Sequence, residues 1–295
     1  MKATRGTKHE YLGMIFDFSQ KGKVILDMCD YISEMVDDFS IKFTPEETAP
    51  TPAADDLFSL GENVRLEPQK AEEFHTFVAK ALFATKRARP DIHTAIAVLC
   101  TRVQKPNKDD WKKLVRLMKY LNGTREDKLF LSADNLGVIK WHVDASFAVH
   151  PDFKSQTGAC MTYGTGMPIT ISRKQRLNTT SSTTGELVAV DDVATPVLWT
   201  RLFMEAQGVK ITDNIVFQDN QSAMLLEKNG KQSSSKRTRA LNIHCFFITD
   251  QIEKGNVRVD YCPTDKMRGD FFTKPLQGKK FLDHKADIMG WKCIN

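Results

Sequence analysis

No stretch of this sequence approaches the roughly 18 consecutive apolar residues of a membrane-spanning helix. The longest clean run, residues 94–101 (TAIAVLCT), has the length of a core helix. The N-terminus, MKATRGTKHEYLGM, is basic but lacks the roughly 7–15-residue apolar region of a secretory signal. Cysteine is sparse as well. Cys29, Cys100, Cys160, Cys245, Cys262 and Cys293 form no CxxC pair, and the seven histidines do not cluster beside them. That spacing argues against a zinc site. With no secretory signal it implies free thiols in a reducing intracellular compartment, with no disulfide partner. Charge of one sign does not dominate either: 42 Lys+Arg stand against 37 Asp+Glu, a net charge of +5. The excess is uneven, because residues 231–295 hold 13 basic against 7 acidic side chains. A nucleic-acid backbone would be drawn to that end.

What is present suffices for a packed core: 41% of the 295 residues are hydrophobic and 27% charged, which excludes wholesale disorder. Residues 11–18 (YLGMIFDF) and 23–28 (KVILDM) read as strands joined by a turn at Gln20, Lys21 and Gly22, a hairpin. Tyr31, Ile32, Met35, Val36 and Phe39 recur at helical spacing, as do the apolar positions of 71–86, 91–104 and 109–121. Residues 44–56, rich in Pro and acids, are a loop. The first domain, residues 1–130, is therefore expected to be a hairpin followed by helices.

After Asn122 and Gly123 the texture changes. Residues 137–145, 157–163 and 168–173 are expected strands with short connections, hence an antiparallel meander. Residues 182–202 form a long helical pattern that Pro196 should kink or split. A strand (215–219), two helices (221–228 and 242–254) and a strand (256–262) follow, with the basic segment KQSSSKRTR (231–239) between the helices. Helical crossovers place the last two strands parallel to the first. The expected architecture is α/β, a five-stranded mixed sheet whose first three strands are antiparallel, flanked by helices. It occupies residues 131–276, and residues 277–295 form a tail.

Four acids sit at telling places in this order: Asp144 in KWHVDAS, Glu186 in SSTTGEL, Asp219 in VFQDNQSA and Asp270 in RGDFFTKPL. Strand ends and helix starts converge on one edge of a mixed α/β sheet. Four carboxylates with no lysine among them would repel unless divalent cations sat between them. Mg²⁺ suits such a site because it takes oxygen ligands and keeps waters for a substrate. Each acid alone has an ordinary reading. Thr183 and Glu186 fit a capping box, Asp219 fits a helix N-cap, Asp144 shares a strand face with Lys140 and His142, and Asp270 suits a helix dipole. Their joint placement is what these readings leave unexplained.

The same stretches carry a resemblance. VDASF, KSQTGACMTYGTGMPITISRKQ, TTSSTTGELVAV, VFQDNQSAM and GDFFTKPL resemble, in order, the ribonuclease H domain of copia-type LTR retrotransposon Pol polyproteins. YLGMIFDFSQKGKV resembles the strands after the polymerase palm of that family. RARPDIHTAIAVLCTRVQKP and WKKLVRLMKYLNGT resemble the helices leading to its nuclease domain. The resemblance implies a ribonuclease H-like fold that cuts the RNA strand of RNA–DNA hybrids with two Mg²⁺ ions (Mn²⁺ also suits). Asp144, Glu186, Asp219 and Asp270 would be both catalytic and metal-binding. It implies further that residues 1–130 are the C-terminal remnant of a reverse transcriptase. The missing polymerase half is then a partner, and the location is cytoplasmic, in a virus-like particle, or nuclear.

Expected nucleic-acid contacts are Ser181 and Ser182 at the helix start, Asn220 beside Asp219, the basic Lys236, Arg237 and Arg239, and Lys274. Met35, Val36, Asp37 and Asp38 mimic a polymerase motif, but they lie in a helical pattern rather than a hairpin, so the chain alone should not polymerise DNA. His142 reads as an exposed strand histidine. Trp141, Trp199 and the pairs Phe246, Phe247 and Phe271, Phe272 read as core. Several departures favour the alternative, a catalytically inactive retroelement remnant that folds and binds nucleic acid. Arg239, Ala240, Leu241, Asn242 and Ile243 stand where relatives read like KHINI, and the loop 263–269 holds no histidine. A different nuclease or integrase on the same sheet is also compatible with the four acids alone.

Overall fold

A computed structural model describes residues 5–61, 64–230 and 242–292. In chain order its elements are β1 (Lys8–Tyr11), β2 (Met14–Asp17), β3 (Lys23–Asp27), α1 (Cys29–Asp38), α2 (Pro68–Thr85), α3 (His93–Cys100), α4 (Lys108–Asn122), β4 (Leu129–Ala133), β5 (Val138–Ser146), β6 (Gln156–Thr162), β7 (Gly164–Thr165), β8 (Ile169–Lys174), α5 (Ser182–Ala206), β9 (Asp213–Gln218), α6 (Gln221–Asn229), α7 (Asn242–Glu253), β10 (Arg258–Tyr261) and α8 (Gly278–Ile288). The chain divides into two compact units. The first takes the described residues of Met1–Ala133, Gly164–Pro168 and Pro275–Asn295, and the second Asp134–Tyr163 and Ile169–Lys274.

The first unit holds a five-stranded antiparallel sheet in the order β1-β2-β3-β4-β7. This corrects the expectation of a hairpin followed only by helices. The run 11–18 is not one strand. Leu12 and Gly13 both take positive φ, 52° and 71°, so the chain folds back on itself in the two-residue turn that suits a hairpin. β7 is two residues long and comes from far along the chain, where no periodicity marks it. The helices match their apolar spacing, and residues 35–38 lie within α1 as expected. Asn107 and Asp110 close a reciprocal capping box on α4. Phe39 stacks on Trp111 at 5.4 Å and meets Phe77 edge-on at 4.9 Å. Arg89 is fully buried in a fork on Asp91, which also accepts a 2.6 Å bond from the Tyr120 hydroxyl. The segment 277–295 carries α8, which packs Phe281 against Tyr120 and sets the Lys285 ammonium 2.6 Å from Asp127.

The second unit holds a mixed five-stranded sheet in the order β10-β9-β5-β6-β8. β5, β6 and β8 are antiparallel, and β9 and β10 run parallel to β5. Trp141, Val143 and Val216 from the sheet pack with Val190, Val193 and Val197 of α5 and Ile248 of α7. α5 runs unbroken through Pro196, against the expected split. Proline leaves the carbonyl of Asp192, four residues earlier, without its helical donor. The Arg173 guanidinium donates to that carbonyl at 2.6 Å instead. Trp199 is not core: it is 56% exposed and stacks on exposed Phe203. Phe247 is also exposed, whereas Trp141, Phe271 and Phe272 are buried as expected. No described helix is long and apolar enough to cross a membrane.

Candidate metal centre

Asp144 lies on β5, opposite Gly158 of β6. The short helical turn Arg268–Phe272 lies flat against this pair because glycine faces it from both sides. A Cβ at Gly158 would sit 2.7 Å from the Gly269 carbonyl oxygen, and one at Gly269 would sit 2.8 Å from the Asp144 Cβ. The Ser172 hydroxyl anchors the turn by donating to the Phe272 carbonyl at 2.7 Å. The Thr273 hydroxyl donates to Asp144 Oδ2.

Glu186 does not cap its own helix. Ser181 is the N-cap of α5 and accepts from the Thr184 amide at 3.2 Å, so the Thr183–Glu186 box does not form. Glu186 lies one turn further in. It is buried, and its Oε2 has no hydrogen-bond partner among the described residues. Asp219 is freed in the same way: Asn220 is the N-cap of α6 and accepts from the Ala223 amide at 3.1 Å. Asp219 Oδ2 instead accepts from the Thr264 hydroxyl at 2.9 Å.

Three strands of chain thus bring Asp144, Glu186 and Asp219 together, with one oxygen from each lying within 4.8 Å of the others. Burial pushes the Asp144 carboxyl up to about 6; the charges of Asp270 and Asp219 add to this, while Lys274 and the Thr273 hydrogen bond oppose it. Burial, then the charges of Asp144 and Asp219, hold Glu186 well above the usual carboxylate range. Lys274 offsets only part of the negative charge here, and among the described residues one buried acceptor is unmet. An all-carboxylate donor set with an orphaned oxygen fits a hard divalent cation.

Asp270 is buried beside Asp144 but falls outside that group of three. Its partner is Lys274, whose ammonium pairs with Asp270 Oδ1 and lies 3.8 Å from Asp144 Oδ2. A lysine does therefore stand among the acids, contrary to expectation. Burial works against its charge, yet Asp144, Asp270 and Asp219 together raise its pKa. The four-residue spacing from Asp270 to Lys274 is the signal in the sequence that could have shown it. Thr264 and Thr273 were unread because a hydroxyl in a loop has no spacing to betray its partner.

Of the expected nucleic-acid contacts, Ser181 and Asn220 serve as helix caps, and Ser182 is exposed at the first position of α5. Lys236, Arg237 and Arg239 lie outside the described residues. His142 is not exposed. It is buried, stacked on Phe217 at 4.9 Å, and burial lowers its pKa to about 3, so it is uncharged at neutral pH.

No family model matches the chain. It is 26% identical over 286 residues to the retrovirus-related Pol polyprotein from transposon TNT 1-94 of Nicotiana tabacum, covering 94% of this chain and 21% of that protein. Its identity to the Pol polyprotein from transposon RE2 of Arabidopsis thaliana is 29% over 202 residues, 68% of this chain and 14% of that one. With the transposon Ty1-BR Gag-Pol polyprotein of Saccharomyces cerevisiae it shares 23% over 289 residues, 93% of this chain and 16% of the other. A solved foamy viral protease-reverse transcriptase, in complex with RNA/DNA hybrid, overlays 88% of this chain and 29% of its own at a TM-score of 0.45 and 9% identity. The chain is homologous to copia/Ty1-type retrotransposon Pol polyproteins and spans about a fifth or less of their length.

Proposed function

We propose that the second unit is a ribonuclease H-like hydrolase that cuts the RNA strand of RNA–DNA hybrids. The observation that carries this reading is the convergence of Asp144, Glu186 and Asp219 within 4.8 Å, the first two buried and Asp219 half-buried, with a Glu186 oxygen that has no partner among the described residues. The strand order, with three antiparallel strands followed by two parallel ones, accords with it. We assign the nuclease to residues 131–276, apart from the few at its ends and at Gly164–Pro168 that belong to the first unit, and a reverse-transcriptase-derived part to residues 1–130, with the polymerase half of a longer Pol polyprotein as its partner. Asp144, Glu186, Asp219 and Asp270 would hold two Mg²⁺ or Mn²⁺ ions. Such ions supply a hydroxide nucleophile from water and offset charge on the leaving oxygen.

The chain's own contribution is to hold these oxygens still. Thr273 fixes Asp144, Thr264 fixes Asp219, and the glycine-lined turn holds Asp270 beside Asp144. Neutral, buried His142 takes no part in proton transfer. A hybrid would be recognised by minor-groove shape and 2′-hydroxyls rather than by sequence.

One observation favours the inactive remnant as second reading: Lys274 already supplies a cation to Asp144 and Asp270. Cleavage of a labelled RNA–DNA hybrid with Mg²⁺ and with EDTA, beside double-stranded RNA and DNA, decides between them. Hybrid-only, EDTA-sensitive cutting that Asp219→Asn lowers at least about 100-fold is expected. A folded chain that binds hybrid and never cuts it would establish the remnant.

A further inference from the structure

The loop joining β5 to β6 leaves the sheet three residues after Asp144. It carries Phe147, 42% exposed, and Phe153, 74% exposed. Two of its non-glycine residues, Ala148 and Phe153, are held at positive φ, 52° and 58°. Such backbone persists only where surrounding bonds over-determine it, and here they do. The His150 amide donates to the Lys154 carbonyl at 3.1 Å, and the Phe153 amide to the His150 carbonyl at 2.8 Å. The Ala148 amide donates to the Ser155 hydroxyl at 3.1 Å, and that hydroxyl shares a 2.9 Å bond with Thr179, just ahead of α5. Asp152 pairs with Lys174 at 2.6 Å. A fixed loop thus presents a large ring to solvent instead of folding it inward.

Its surroundings are basic. Lys154, Arg173, Lys174 and Arg176 lie on the loop or on the strand end bonded to it, against Asp152 and Asp192. The loop also approaches the first turn of α5, the helix that carries Glu186. Its Ser155 hydroxyl lies 3.6 Å from where a Cβ on Gly185 would be, next to Glu186. Exposed aromatics among basic side chains form the usual surface for unpaired nucleotides, whose bases stack on the rings while lysine and arginine hold the backbone. Inside a duplex both faces of every base are already stacked. A ring at this edge can meet a base face only where pairing ends.

We propose that the loop 147–155 binds an unpaired nucleobase adjoining the hybrid, with Phe153 as the stacking ring. The inference rests on the hydrolase reading above, since it takes the duplex to lie over the acid group. Phe153 then makes this chain prefer hybrids that continue as a single strand over blunt ones.

Fluorescence anisotropy with the full chain tests this in EDTA, where binding is read without cleavage. The probes are a blunt labelled RNA–DNA hybrid and the same hybrid with a single-stranded extension at either end. One extension should tighten binding about tenfold to a hundredfold, the range of one base–aromatic stack. Phe153→Ala should abolish that gain without changing affinity for the blunt hybrid, and Phe153→Trp should keep it. Equal binding of blunt and extended hybrids by the wild type, or a gain that survives in Phe153→Ala, overturns the inference while leaving the hydrolase reading intact. A wild-type chain that binds no hybrid overturns both.

Discussion

Glu227 is a carboxylic acid with nowhere to put its charge. It lies on α6, fully buried, and neither of its side-chain oxygens has a hydrogen-bond partner among the described residues. Burial raises its pKa to about 8 against an ordinary 4.5; the Gln218 amide, near but out of hydrogen-bond geometry, and the Lys228 charge offset part of this. The folded chain therefore binds a proton that the unfolded chain releases. This contribution to stability is complete below pH 4.5 and is lost as the pH rises through about 8. Glu227→Gln removes the dependence. Thermal melts should show its advantage over wild type growing by roughly 1.4 kcal/mol per pH unit across that window, then levelling. A constant difference from pH 5 to pH 9 would place the charge elsewhere. At this scale the sequence was partly legible. The four acids stand out by their positions at element ends, whereas Glu227 sits in an ordinary amphipathic helix, and only the packing against Thr249, whose hydroxyl donates to its carbonyl at 2.7 Å, puts it inside. Lys274 reads from sequence as a nucleic-acid contact, and its pairing with Asp270 is not legible there because Asp270 counts as an acid before it counts as half of an ion pair.

Two glycines in the second unit make opposite demands on their elements. At Gly185 in α5 an added Cβ meets nothing closer than 3.6 Å. Gly185→Ala should therefore stabilise the fold by about 0.5–1 kcal/mol through lower chain entropy. At Gly269 the same Cβ meets the backbone amide of Asp144 at 2.9 Å as well as its Cβ, so β5 or the turn must move. Gly269→Ala should cost about 1–3 kcal/mol and lower any hydrolysis by more than the stability loss explains. Urea titrations of both variants check the signs. Helices were the legible elements, because α1, α2 and α4 each repeat apolar positions along one face over many residues. The sheet of the first unit was not legible. β4 is five residues long, β7 is two, and the turn at Leu12 uses a side chain where glycine or asparagine is the usual mark. The continuity of α5 was likewise unreadable, since it depends on Arg173, a residue of β8, reaching the carbonyl that Pro196 leaves open.

At the scale of the whole molecule, the first unit encloses a buried ion pair. Arg89 and Asp91 have no exposed side-chain surface. Burial alone would raise Asp91, but Arg89, Lys285 and Tyr120 outweigh it and bring its pKa down to about 2. A depressed carboxylate stabilises above its ordinary pKa of 3.8, and that contribution fades as the pH falls through about 2. Asp91→Asn leaves the guanidinium buried without its counter-charge and should cost about 3–5 kcal/mol at neutral pH, read as an early unfolding transition in urea. A variant as stable as wild type would show that Thr124 and Tyr120 suffice to hold Arg89. The route of the chain adds a temporal consequence. β7 and α8 belong to the first unit, yet they lie after β6 and after β10 in the chain, and the amides of Phe130 and Met167 await the carbonyls of Met289 and Ile288. On a ribosome, where domains usually close in the order they emerge, the unit begun first is the one completed last. The acid-bearing sheet, contained within Asp134–Lys274, has every strand out of the tunnel before its neighbour can close.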